Sequence, residues 1–300
     1  MSYLFAILCA AGYGFNDFCV YLGSRSGRAT SSQALVINLF SGNILLVIVA
    51  SVLYLTQGMP HIDWPGMLSF IAAGIAGPFL GRIFSITAIR NIGATRTTSL
   101  RVSETFFSMF LAVALLRNII PIRSLAGAII LILGIIILIN ETNKGSQRPK
   151  AARRLSALTI GSLFALIASL FFAIAGIFRL TGSSYSPSAI SGTLVGSMVA
   201  LVTNAAFAYF SRQLGSHWTA TRREVLFYSL GGLGNSTAML MFFLALIAGG
   251  HVALVTALKN ISPLFTLFFS WIFLRKVERF TVMLVVSILI VIFGAFLIVM

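Results

Sequence analysis

The chain has 300 residues, 58% apolar and 9% charged, with 21 Lys+Arg against 6 Asp+Glu and a formal net charge of +15. Soluble domains run near ~45–50% apolar and about 25% charged. The composition therefore excludes an ordinary soluble domain and, with a mean hydropathy of +1.01, points to an integral membrane protein. Only two cysteines are present, Cys9 and Cys19, both inside one apolar stretch. That excludes a disulfide scaffold and leaves them as small reduced hydrophobes.

A helix needs about 20 mainly apolar residues to cross the hydrocarbon core. In chain order this length marks ten predicted spans, at 3–22, 33–55, 66–89, 95–116, 122–140, 157–179, 187–210, 225–247, 251–274 and 280–300. Turn segments such as Gly58-Met59-Pro60-His61 and Gly215-Ser216-His217 separate them. The apolar runs are continuous, so the expected fold is an all-α bundle and not a barrel. The first span does not read as a removable signal peptide, because Met1-Ser2-Tyr3 carries no positive side chain and Asn16-Asp17 interrupts the apolar run. The fourth span is weakest, being polar from Thr97 to Thr105. A basic linker at 144–156, with Lys144, Arg148, Lys150, Arg153 and Arg154, separates 1–143 from 157–300. No loop is long enough for a soluble catalytic domain.

The two halves resemble each other. At an offset of 158, Thr98 falls on Thr256, Arg101 on Lys259 and Arg117 on Arg275; at 159, Gly23 falls on Gly182, and at 160 Gly134 falls on Gly294. The polar matches carry more weight than the apolar ones, which composition alone supplies. Five spans per repeat is an odd number, so the second copy must be inverted. Inverted repeats are the architecture of many secondary transporters, with the substrate site near the midplane between them.

Tyr13-Gly14-Phe15-Asn16 in the first span and Ser262-Pro263-Leu264-Phe265-Thr266 in the ninth, within this five-plus-five pattern, resemble the drug/metabolite transporter superfamily, EamA type. The family commonly has Trp-Gly where this chain has Tyr-Gly. It often has Leu-Gly-Glu where this chain has Leu274-Arg275-Lys276-Val277-Glu278. The resemblance implies a ten-helix basket and export or exchange of small metabolites, with no substrate fixed. Apart from Arg82, Arg101 and Lys259, the basic residues fall in loops or at helix ends, 15 on the side of the odd-numbered loops and three (Arg117, Arg123 and Arg179) on that of the even ones. The positive-inside rule puts the odd loops in the cytoplasm of a bacterial-type inner membrane, and both termini outside. The resemblance implies cytoplasmic termini, but the charge count of fifteen to three outweighs it.

A charge at the centre of a span costs about 2.5–3.5 kcal/mol on insertion scales, so it tends to face a cavity or a partner. Asp17, Arg82, Arg101, Glu104 and Lys259 are such charges. Arg101 and Lys259 occupy matching positions that inverted symmetry would bring to opposite walls of one cavity, where two cations suit an anionic or zwitterionic substrate. The alternative is an Arg101–Glu104 bridge at i,i+3 with Lys259 snorkelling. Pro263 leaves the Lys259 carbonyl free, and Pro78 that of Gly74. Arg82 either contacts substrate or pairs with Asp17 or Glu104. Asp17, next to Asn16 and on a face with Tyr13, can hold a substrate amine, accept a coupling proton or neutralise Arg82. Glu104 is an equal coupling candidate. Asn260 lies on the polar stripe with Lys259, and His251 is a helix cap or path residue. Gly77-x-x-x-Gly81 and Gly192-x-x-x-Gly196 signal close internal helix packing.

No His/Cys/Asp spacing fits a metal, no nucleotide loop or paired-carboxylate motif is present, and no cofactor is implied. Gly231-Gly232-Leu233-Gly234-Asn235 opens a span instead of following a strand. The basic linker is too short and too poor in aromatics to read nucleic acid; lipid headgroups account for it. The expectation is a monomeric or weakly dimeric secondary transporter, not an enzyme. It would move an amino acid or organic anion, coupled to protons or a counter-substrate. Export of cationic drugs on Asp17 and Glu104, as small multidrug transporters do, is the alternative.

Overall fold

The structure is a computed structural model describing residues 1–58, 63–116, 122–144, 151–185, 188–211, 218–249, 252–274 and 281–299. Every element among these residues is helical. In the first half, α1 (Ser2–Ser24) and α2 (Ser31–Gln57) are followed by α3 (Trp64–Gly74), a π-helical stretch (Ile75–Gly81) and α4 (Arg82–Ile92), which together form one long rod. Then come α5 (Ala94–Arg101), α6 (Glu104–Leu116) and α7 (Ile122–Lys144). The second half holds α8 (Ala151–Tyr185), α9 (Ala189–Phe210), α10 (Arg222–Ile247), α11 (Val252–Lys259), α12 (Ser262–Leu274) and α13 (Val282–Val299). Among the described residues, nine helical stretches are long and apolar enough to cross a membrane. The expected span at 95–116 is not one of them: it breaks into α5 and α6, and α5 is polar. Of the expected linker, 145–150 lies outside the described residues, Lys144 closes α7 and 151–156 belongs to α8. His251 and the Arg117/Arg275 match also lie outside.

Packing follows the repeat. α1 packs on α10 and on the α11–α12 pair; its counterpart α8 packs on the α3–α4 rod and on the α5–α6 pair. α2 packs on α9, and α7 on α13. Each pairing maps onto another, or onto itself, when the halves are exchanged. The halves also run in opposite senses. α1 ends, and α8 begins, at the same end of the bundle: Phe18 meets Phe269 and Phe273, Gly23 lies under the Tyr228 ring, and Gly161 abuts Asn91 and Ile92. Inside a membrane no hydrophobic drive separates helix from lipid, so small residues and close van der Waals contact hold the helices together. A side chain on Gly74 would overlap the Gly196 backbone, one on Gly192 the Phe70 ring at 2.5 Å, and one on Gly77 Ala175 at 2.7 Å. The glycine motifs are therefore internal contacts. Gly231-Gly232-Leu233-Gly234-Asn235 lies in the middle of α10, not at its start. There Gly232 lets the Asn38 carbonyl of α2 come close, and a side chain on Gly234 would come within 2.8 Å of the Phe15 ring of α1.

Candidate functional site

The two broken helices match residue for residue. α5 and α11 each have 8 residues and end on a basic side chain, Arg101 and Lys259; α6 and α12 each have 13. At the offset of 158, Val102-Ser103 falls on Asn260-Ile261, and both breaks are tightened by three-residue hydrogen bonds, Ser103 to Leu100 (3.1 Å) and Ile261 to Leu258 (3.1 Å). A cation at a helix C-terminus and Glu104 at the N-terminus of α6 both complement the exposed dipole ends. Pro263 accounts for the second break. The first has no proline, and the sequence reads both 95–116 and 251–274 as continuous spans.

Between the breaks lies a cavity of about 110 Å³, lined among others by Tyr13, Arg82, Arg101, Glu104, Arg179, Asn235, Lys259 and Asn260. The space is large enough for a small solute. Lys259 and Glu104 sit 3.7 Å apart with side chains 25% and 32% exposed. Beside them Asn260 donates to Thr105 (3.0 Å), a second bond between the two halves.

Arg82 and Arg101 share one counter-ion. Asp17, 1% exposed, accepts from Arg101 Nη1 (2.7 Å), Thr98 Oγ1 (2.9 Å) and Asn16 Nδ2 (2.7 Å), and lies 3.7 Å from Arg82 Nη1. Arg101 also donates to Ser85 (3.1 Å) and rests on the Phe172 ring, and its buried Nε has no hydrogen-bond partner. Arg82 donates to Asn235 of the opposite half (2.6 Å). The π-helical stretch around Pro78 turns Arg82 inward, its own N–H reaching the Gly77 carbonyl five residues back. Asn16 is held by Asn38 (3.1 Å), a buried residue of α2.

The structure thus brings all eight expected site residues together, in two layers. Tyr13, Arg82, Arg101, Glu104, Lys259 and Asn260 line the cavity, whereas Asp17 and Asn16 lie behind the arginines as their support. The pairing differs from the intrahelical alternative: Arg101 joins Asp17, and Glu104 joins Lys259 across the repeats. Arg179 corrects another expectation. It is not in a loop; α8 runs on to Tyr185, and Arg179 lines the cavity. The polar run Thr181-Gly182-Ser183-Ser184 hides that continuation, and Ser186-Pro187 is the truer stop signal in the sequence. Asn235, Asn43 and Ser197 are further lining residues that the sequence did not single out; the last two bond each other at 2.6 Å. No trio of His, Cys, Asp or Glu able to hold a metal occurs among the described residues.

One end of the bundle is closed. Val20, Ala29, Leu35, Ile86, Ile89, Ala94 and Tyr228 form a buried apolar cluster there. Glu224, in the first turn of α10 and 1% exposed, accepts from the backbone of Ala29 (3.0 Å), Arg28 (3.2 Å) and Thr221 (2.7 Å). Arg90 adds a bond to the Ala29 carbonyl (2.7 Å). Lys259 stands ten residues of chain before Phe269 of that closed end, roughly 15 Å at 1.5 Å per residue. The cavity therefore sits from the middle of the bundle toward the other end.

A multi-pass helical membrane protein, built from two inverted halves around a charged cavity, is a membrane transporter by architecture. The EamA-like transporter family model matches residues 1–140 and again 159–300. The chain belongs to that family, and so to the drug/metabolite transporter superfamily. A crystal structure of a protein 13% identical in sequence aligns with a TM-score of 0.63 over 97% of this chain and 94% of that one, a similarity of fold. No curated protein gives a significant sequence match.

Proposed function

We propose that this protein is a secondary active transporter that moves a small polar anion or zwitterion through the cavity by alternating access. The observation that carries this reading is the matched pair of broken helices, each delivering a cation, Arg101 or Lys259, to one shared cavity. Discontinuous helices at equivalent places of inverted repeats form the midplane binding sites of many transporters. Arg101 and Lys259 hold the acidic end of the solute, and Asn235 and Asn260 supply neutral hydrogen bonds. Glu104 is the carboxylate within reach of a substrate amine or a coupling proton. Of the two carboxylates that amine export would use, Asp17 is enclosed by two arginines, Asn16 and Thr98, and Glu104 is paired with Lys259, which supports this reading over amine export. With Arg179 placed in the cavity, fifteen basic residues on the side of the closed end against Arg117 and Arg123 on the other support a cytoplasmic location for the closed end in an inner membrane, with both termini and the cavity facing outside. A reporter fused at Met300 that read cytoplasmic would contradict that orientation.

The test is counterflow in proteoliposomes with a panel of amino acids, organic acids, sugar phosphates and amines. At least one anionic or zwitterionic solute exchanges, and Lys259→Ala abolishes that exchange while the protein remains folded by its melting curve. Normal exchange in Lys259→Ala would sink the assignment. Inhibition by quaternary ammonium compounds, with no anion moved, would favour amine export.

A further inference from the structure

The cavity wall carries more positive charge than a monoanion or zwitterion needs. Four cations, Arg82, Arg101, Arg179 and Lys259, stand against two carboxylates, Asp17 behind the wall and Glu104 on it. Asp17 serves both Arg82 and Arg101, and Glu104 serves Lys259. Arg179 has no ion pair among the described residues. Two positive charges are therefore left over, one at the Arg82–Arg101 layer and one at Arg179. They stay hydrated while the cavity is open. Alternating access requires an occluded stage, and expelling that water leaves both charges uncompensated unless the solute brings two negative charges.

Size narrows the solute further. The cavity, at about 110 Å³, is small, which suits a small solute. Arginine forks bind carboxylate and phosphate groups in pairs of parallel hydrogen bonds. From this charge and volume, and resting on the transport reading above, we infer that the substrate is a small dianion. It carries its two negative charges as two carboxylates or one phosphate monoester, with one anionic group taken by Arg179.

The experiment is counterflow near neutral pH with a size-matched series: succinate (dianion), its monoamide (monoanion), its diamide (neutral), alanine (zwitterion) and glycerol phosphate (mainly dianion). A dianion should exchange at least about tenfold faster than the monoamide, the worth of one charge-assisted hydrogen bond. Arg179→Gln should collapse that ratio to near one by slowing the dianion, and Arg179→Lys should restore most of it. The faster of succinate and glycerol phosphate tells carboxylate from phosphate. The inference is overturned if the monoamide or alanine exchanges as fast as both dianions, which leaves the transport reading intact. A dianion preference that survives Arg179→Gln overturns the role given to Arg179. If nothing in the series or the wider panel exchanges, the transport reading itself fails.

Discussion

Two carboxylates of the same chemical kind do different work here because one is sealed and the other is not. Asp17, at 1% exposure, is the shared counter-ion of two arginines, Arg82 buried and Arg101 half-buried. Removing its charge strands both cations, and breaking a buried pair this way costs about 3–5 kcal/mol. Asp17→Asn should therefore lower the melting temperature in detergent sharply and abolish transport with it. Glu104 faces its lysine at 3.7 Å across a partly exposed cavity. Screening there limits the pair to at most about 1 kcal/mol, so Glu104→Gln should melt near the wild-type temperature and alter transport alone. Equal destabilisation by the two substitutions would contradict this division. The residues themselves were legible in the sequence, because a charge inside an apolar span stands out. Their partners were not: Asp17 meets Arg101 across 84 positions and Glu104 meets Lys259 across the repeats, distances that no local spacing encodes.

At the scale of elements, glycine is used for contact as much as for freedom. Gly74 sits against the backbone of Gly196 where α3 crosses α9, so Gly74→Ala overpacks the crossing and should cost about 1–3 kcal/mol. Gly176, which matches Asp17 at the repeat offset of 159, has open space where its Cβ would be. Gly176→Ala should leave stability unchanged or raise it by up to ~1 kcal/mol, the helix-propensity gain. Thermal unfolding of the two variants side by side checks the contrast, and a loss in both would contradict it. Among the described residues, nine spans announce themselves by length and hydropathy. The break at Val102-Ser103 does not, because no glycine or proline marks it. It is legible only through the repeat, by carrying the proline-marked break of the second half back onto the first. Arg179 was hidden for the opposite reason, a polar stretch that stayed helical.

At the scale of the whole molecule, inverted symmetry requires that an end closed in one state can open in the mirror state. The closed end is held by apolar packing around Tyr228 and by Glu224, whose carboxylate gathers the α1–α2 turn onto the start of α10. Removing that carboxylate leaves the backbone N–H groups of Arg28 and Ala29 without their acceptor and weakens the closed state relative to its mirror form. Labelling follows the change directly. In a background with Cys9→Ala and Cys19→Ala, Ser262→Cys places a thiol on the cavity wall at the second break, where a membrane-impermeant maleimide can report which side reaches it. With Glu224 intact, Ser262→Cys should be labelled from the side of the termini. With Glu224→Ala added, labelling from the opposite side should appear and labelling from the first should fall. Labelling from one side only, at the same rate with and without Glu224, would contradict a cavity that opens alternately to the two sides.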